Sequence, residues 1–169
     1  MKRKILFTMV MSVIAAVVLA GCGGENTAKE NEDGANLADR LVAAGTDEIA
    51  VYLQEGLEFE DVMQSLDPDI AMSLYNLTDE QVSDCYMIGS TGATAEEIAV
   101  FKIKEGQEEA VENACGERIE AQKAVFENYV PKEMEKLSKP VMVAEGNTMI
   151  VVVCNNPEKA AELIDDFGE

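Results

Sequence analysis

The chain has 169 residues, with 13 Lys and Arg against 33 Asp and Glu, a formal net charge of −20 and no histidine. That balance excludes a nucleic-acid binder, because phosphates are held by Lys and Arg that displace counterions. Without histidine, any general acid or base would have to be Asp, Glu, Lys or Tyr.

Lys2, Arg3 and Lys4 are followed by Ile5 through Ala20, a run without a charge. A basic start, an apolar run and small residues before a cleavage point are the parts of a secretory signal. Leu19-Ala20-Gly21-Cys22 resembles the lipobox of bacterial lipoproteins. The resemblance implies that residues 1–21 are a signal peptide and that the thiol of Cys22 receives a diacylglyceryl group. Cys22 then becomes the mature N-terminus. The apolar run is shorter than the ~20 residues of a straight membrane-crossing helix. Two acyl chains hold stably where one does not. The expected address is therefore the extracytoplasmic face of the cell membrane, reached by a lipid anchor rather than a span. The signal carries three of the bases and no acid, so the remainder is more acidic still and would meet an anionic membrane only through that anchor.

Gly23 to Asn36 lacks an aliphatic pattern and is rich in Gly, Asn and Glu, so residues 22–36 read as a flexible tether. Residues 37–169 form a single domain, long enough to bury a real core. Leu37, Leu41 and Val42 mark one helical face, Gly45 breaks it, and Ile49, Val51, Tyr52 and Leu53 continue beyond. Asp67-Pro68 is a helix start, with Asp67 as N-cap and Pro68 in the first turn. Thr78-Asp79-Glu80-Gln81 matches a capping box. Strands follow at Cys85–Ser90 and Glu97–Lys104, the second apolar on both faces and so central. Gln107 to Tyr129 is the longest helical signal, stopped by Pro131. Val141–Ala144 and Met149–Cys154 are strands joined across Gly146-Asn147, a hairpin signal. Asn156-Pro157 caps a last helix. The fold class is α+β: short N-terminal helices, then a β-β-α-β-β-α core with helices packed on an antiparallel sheet.

The long helix carries the most informative polar residues. Val111, Ala114, Cys115, Arg118, Ala121, Gln122, Val125 and Tyr129 recur at spacings of three and four, so they are expected on one face. Arg118 and Gln122 interrupt that apolar stripe. A buried guanidinium needs a carboxylate, and Glu97 is its expected partner, with Glu96 the rival. Three readings stand: a structural ion pair, or an Arg lying along the surface with its head in water, and, against both, a polar pocket gripping an anionic group. After Cys22, Cys85, Cys115 and Cys154 allow at most one disulfide; each sits beside apolar residues and reads as a small buried side chain. No C-x-x-C pair is present, and a thiolate-rich zinc site would need a carboxylate as its fourth ligand. Asp61, Asp67 and Asp69 could gather weak Ca²⁺, but Pro68 between two of them fits helix-start chemistry better. No catalytic, metal or cofactor motif is legible.

Glu97–Lys102 (E-I-A-V-F-K), Arg118–Lys123 (R-I-E-A-Q-K), Tyr129-Val130-Pro131 and Gly146-Asn147 together resemble the domain of unknown function 4358 family, over roughly Glu58 to Ile164. That family occurs in small predicted lipoproteins of Gram-positive bacteria. The resemblance departs at Thr148, where an aromatic is expected after Gly146-Asn147. It implies that Glu97, Arg118, Gln122 and Tyr129 recur as a set, and it supplies no activity. The functional expectation is a lipid-anchored, non-catalytic binding or interaction module. Its partner would be an envelope protein or a small ligand. The alternatives are an accessory lipoprotein of a transporter or envelope complex, and an enzyme using carboxylates.

Overall fold

A strand buried on both faces organises the domain. The computed structural model describes residues 35–169; the expected signal peptide, the lipobox-like residues with Cys22 and all but the end of the expected tether lie outside the described residues. Strand β3 (Glu97–Ile103) is buried at every position, as its doubly apolar sequence predicts, and it lies in the middle of a five-stranded sheet. Its neighbours are β2 (Val82–Gly89) and β5 (Thr148–Val153), both antiparallel to it. β1 (Gln64–Ser65) and β4 (Val141–Glu145) are the edges, giving the order β1-β2-β3-β5-β4. The architecture is α+β on an antiparallel sheet.

Alternation along β3 and β5 divides the core in two. Ile98, Val100, Ile150 and Val152 point to one face, where they pack with Leu41 of α1 (Leu37–Ala43), Ile49 and Leu53 of α2 (Thr46–Gly56) and Ile164 of α6 (Pro157–Asp165). Ala99, Phe101, Met149, Val151 and Val153 point to the other. That face is covered by α3 (Pro68–Leu74), α4 (Glu108–Tyr129) and the short α5 (Met134–Leu137). The sheet is therefore a middle layer between two helical ones. Strands with both faces covered are apolar nearly throughout, and β3 is, apart from Glu97 and Lys102.

Local chemistry sets the boundaries. Asp67 accepts from the Asp69 amide at 2.9 Å and Pro68 occupies the first position of α3. Asn156 accepts from the Lys159 amide at 3.0 Å ahead of Pro157 in α6. The capping-box residues make their reciprocal contact, the Thr78 amide donating to Gln81 Oε1 at 3.0 Å. No helix grows from it, because Val82 starts β2 at once. The β4–β5 hairpin turns through Gly146 and Asn147, with Gly146 at φ 59°. A positive φ at the first central residue and not at the second, Asn147, marks a type II′ turn. β2 begins three residues before its predicted start. β1, α5 and the 3₁₀ turn Pro131–Glu133 have no counterpart in the sequence reading. They are too short to show a hydrophobic period.

Thr148, the departure from the expected aromatic, has a structural consequence. It is fully buried at the start of β5, and its hydroxyl accepts from Lys102 Nζ at 3.0 Å. Lys102 also donates to the Leu41 carbonyl in the last turn of α1. Burial pulls the Lys102 amine below its usual range, while the charge of Asp84 opposes the shift.

Candidate functional site

The face under α4 holds the polar residues that the sequence singles out. Glu97 opens β3 opposite Gly89 of β2 and Val153 of β5, and its side chain is 2% exposed. A carboxylate so placed needs compensation, and two residues supply it. Arg118, midway along α4, puts Nη2 2.7 Å from Glu97 Oε2. Tyr75, just past the end of α3, donates its hydroxyl to Glu97 Oε1 at 2.7 Å. The guanidinium also stands over the Tyr75 ring, 5.8 Å from its centroid, within cation–π range. Burial, then the Glu97 charge, drives the Tyr75 hydroxyl well above its usual range. Burial works against the Arg118 charge, but Glu97 outweighs it and holds the guanidinium charged. One turn earlier on α4, burial and then Glu97 push the Cys115 thiol up to about 12. It is an inert thiol.

A cavity of about 200 Å³ opens beside this cluster. Ser90, Thr94, Glu96, Glu97, Arg118 and Gln122 form its polar side. Leu66, Leu74, Met87, Val125 and Phe126 form its apolar side, and the β2–β3 connection passes along it. Gln122 is 6% exposed, yet its Nε2 has no hydrogen-bond partner, and neither does the buried Nε of Arg118. Buried donors left unsatisfied cost about 1–3 kcal/mol each, so natural folds rarely keep them without a reason. Residues 118 and 122 are neighbours on successive turns of α4. Both residues thus line one small, mostly apolar cavity, while these two nitrogens themselves are enclosed.

Glu97, Arg118 and Gln122 come together as their spacing predicts; Tyr129 does not join them. The covered arc of α4 runs through Val111, Cys115, Ile119, Gln122 and Phe126, close to the 3.6-residue period. Val125 falls on its margin at 61% exposed. Tyr129, in the last turn, is 66% exposed, with its ring tilted against Phe126. The eight-residue stripe read from sequence is thus displaced at its C-terminal half. Ile119 and Phe126 take the buried places expected of Ala121, Val125 and Tyr129.

Glu96 is not a rival for Arg118. It precedes β3 and is held elsewhere, by Lys136 Nζ at 3.1 Å, Thr94 Oγ1 at 3.0 Å and the amides of Glu60 and Asp61. Lys136 also meets Glu133 at 3.1 Å and Glu60 at 3.4 Å. Burial opposes its charge, but the hydrogen bonds to Glu133 and Glu96 prevail and raise the Lys136 amine. Glu60, half exposed, is lowered to about 2 by its hydrogen bonds to Lys132 and Asn155 and by the Lys136 charge. The sequence reading passed over this network and over Tyr75. Tyr75 reads as one more apolar position of α3. Only the i,i+3 spacing of Glu133 and Lys136 could have flagged the network. Cys85, Cys115 and Cys154 are all free and buried, as small core residues. Asp61 is engaged by the Thr91 amide and hydroxyl, and Asp67 by its capping bond.

The family model described as "Domain of unknown function (DUF4358)" matches residues 56–154. The chain belongs to that family. No curated protein and no solved structure matches the chain. The DUF4358 segment spans the whole sheet together with α3, α4 and α5, and so contains the Glu97–Arg118 pair and the cavity beside it. α1, all of α2 but its last residue, and α6 lie outside it.

Proposed function

We propose that the chain is an extracytoplasmic lipoprotein, leashed to the membrane through Cys22, whose DUF4358 domain is a non-catalytic binding module. The observation that carries the binding part is the cavity beside α4, where the Glu97–Arg118 pair and Gln122 stand against a mostly apolar wall. The ligand site in this reading is that cavity, with Arg118 and Gln122 as its polar contacts and Glu97 as the residue that fixes Arg118. The polar groups near it favour binding over chemistry. Both Glu97 oxygens are engaged, the Tyr75 hydroxyl is locked onto Glu97, and the Cys115 thiol stays protonated at neutral pH. None is poised to exchange a proton or attack. The anchoring part rests on the basic start, the apolar run and Leu19-Ala20-Gly21-Cys22.

Two experiments test the two parts. Labelling of growing cells with radioactive palmitate is expected to mark the wild-type chain and leave Cys22→Ala unmarked; equal label, or none, overturns the anchor. For the site, Val125→Trp enlarges a side chain on the rim without touching the ion pair. Small neutral fragments seen by ligand-observed NMR to bind the wild type are expected to lose their signal with this variant. Equal binding to both chains overturns the cavity as the site.

A further inference from the structure

We infer that the free edge of β4 is an interface, and that a second copy of this chain lays its own β4 there, antiparallel, to join the two sheets into one. The inference is independent of the cavity. β4 bonds β5 along one side and ends the sheet on the other. The Ile103 amide donates to the Asn147 carbonyl at 2.7 Å, which fixes the alternation of bonds across β5. Met149, Val151 and Val153 bond β3, while Thr148, Ile150 and Val152 bond Glu145, Val143 and Val141 of β4. Met142 and Ala144, between those three, therefore turn their N–H and C=O groups outward. No other element of the described residues makes a backbone bond to them. α1 and α6 reach β4 over Val141 and Val143, from one face of the sheet. Ala144 and Glu145 stay exposed.

An edge left open is ordinarily blunted by shortness, charge, proline or a bulge. β1, the opposite edge, is two residues long. β4 has five residues, pairs without a bulge and carries no charge before Glu145. Its own symmetry decides what covers it. With Val143 on a two-fold axis, Met142 of each copy falls opposite Ala144 of the other. All the outward N–H and C=O groups then pair, and a long side chain meets a short one. The same register sets Lys139, two residues ahead of β4, diagonal to Glu145 at the end of the second copy's strand. Both are exposed, so the two-fold contact gains the same ion pair twice. Each copy carries a net charge of −20, a long-range repulsion that salt screens, but the edge itself is balanced by Lys139 and Glu145. An unrelated strand could match the amides and would lack both the side-chain fit and the ion pairs.

The test uses the full chain in a mild detergent. Sedimentation is expected to show a dimer that dissociates on dilution. Ala144→Pro removes one outward N–H and leaves the bonds to β5 intact, a place where an edge strand tolerates proline. Ala144→Lys puts a charge on the edge. Both are expected to associate at least tenfold more weakly, while melting as the wild type does once that is diluted to monomer. Mild oxidation of Val143→Cys is expected to link two copies, because residue 143 faces itself across the axis. Ala144→Cys, offset from its own counterpart, is expected to link at least tenfold less, with the wild type as the blank for the native cysteines. A peptide of residues 139–147 in excess is expected to split the dimer, and a scrambled peptide of the same composition is not. A wild type that stays monomeric, a dimer untouched by both Ala144 variants, or equal linking at 143 and 144 overturns the pairing. The linking contrast decides even where an Ala144 variant fails to fold. Splitting by the scrambled peptide as well would show an edge open to any strand, and overturns the second copy as its occupant.

Discussion

The two faces of the sheet are built on different principles. The face under α1, α2 and α6 is a continuous apolar layer in which Leu41, Ile49, Leu53, Ile98, Val100, Ile150 and Val152 are almost wholly buried. Its buried charge, Lys102, lies at one end and is turned onto helix carbonyls and a hydroxyl. The face under α3, α4 and α5 is apolar at its centre but interrupted at one edge by Tyr75, Glu97, Arg118 and Gln122 and by a cavity. One face maximises burial. The other accepts a buried ion pair and leaves two buried nitrogens unpaired, an arrangement that costs stability. The DUF4358 match includes the second face in full and leaves out nearly all the helices that cover the first. The interrupted face is therefore the one built entirely from family sequence.

The largest effects should come from the sealed face. Leu53 is fully buried against β3 by α2, and Leu53→Ala is expected to cost about 2–5 kcal/mol through lost transfer energy and the void left behind. Chemical denaturation with an unchanged m-value would report it. A cost under about 1 kcal/mol would mean that the α2 layer is loosely applied, and the contrast between the faces would weaken.

On the interrupted face, Arg118→Ala leaves Glu97 buried without its cation. Breaking a fully buried pair costs about 3–5 kcal/mol; Arg118 is 18% exposed, so about 2–4 kcal/mol is expected here, read as a lowered melting temperature. Glu97→Leu combined with Arg118→Leu removes both charges and should recover most of that loss, since apolar replacement of a buried pair is often neutral. Recovery would show that the pair is not needed for stability and so sharpen the case that it serves the cavity. A double variant as unstable as Arg118→Ala would assign the pair to the scaffold.

Much of this contrast could be read before the structure, and the failures have physical causes. β3 was legible because no charge interrupts Ile98–Phe101, and a strand covered on both sides shows that pattern alone. The Gly146-Asn147 hairpin and the Asp67-Pro68 start were legible because one residue type fits each backbone requirement. Arg118 and Glu97 were legible as partners because a cation on an apolar helix face must find an anion. Tyr129 was misplaced because three- and four-residue spacings diverge over 22 residues, and a small angular error exposes one residue and buries its neighbour. Tyr75 was passed over because an aromatic on a short helix looks the same whether its hydroxyl is free or bonded. The Glu96–Lys136–Glu133 network joins segments up to 40 residues apart, and nothing local marks a glutamate that will be buried. A second face of helices was not foreseen either, because an amphipathic helix announces that it packs, not on which side.

The smallest expected effect separates the buried charges from the exposed ones. Glu60 lies outside both cores, bonded to Lys132 at 2.8 Å and to Asn155 at 3.1 Å, with its carboxyl lowered to about 2. A carboxyl depressed in the folded state adds stability above its unfolded pKa, about 4.5, and loses it as pH falls toward the folded value. Wild type should therefore exceed Glu60→Gln in melting temperature at pH 6, and the two should converge between pH 4.5 and 2. Because Glu60 and Lys132 are both substantially exposed, the gap at pH 6 should be small and should shrink in high salt. The Arg118–Glu97 pair should respond to salt much less, because the buried Glu97 carboxylate lies where mobile ions do not reach. A Glu60 gap as large and as salt-insensitive as the Arg118→Ala loss would show that the surface network, and not the cavity edge, carries the electrostatic weight of this domain.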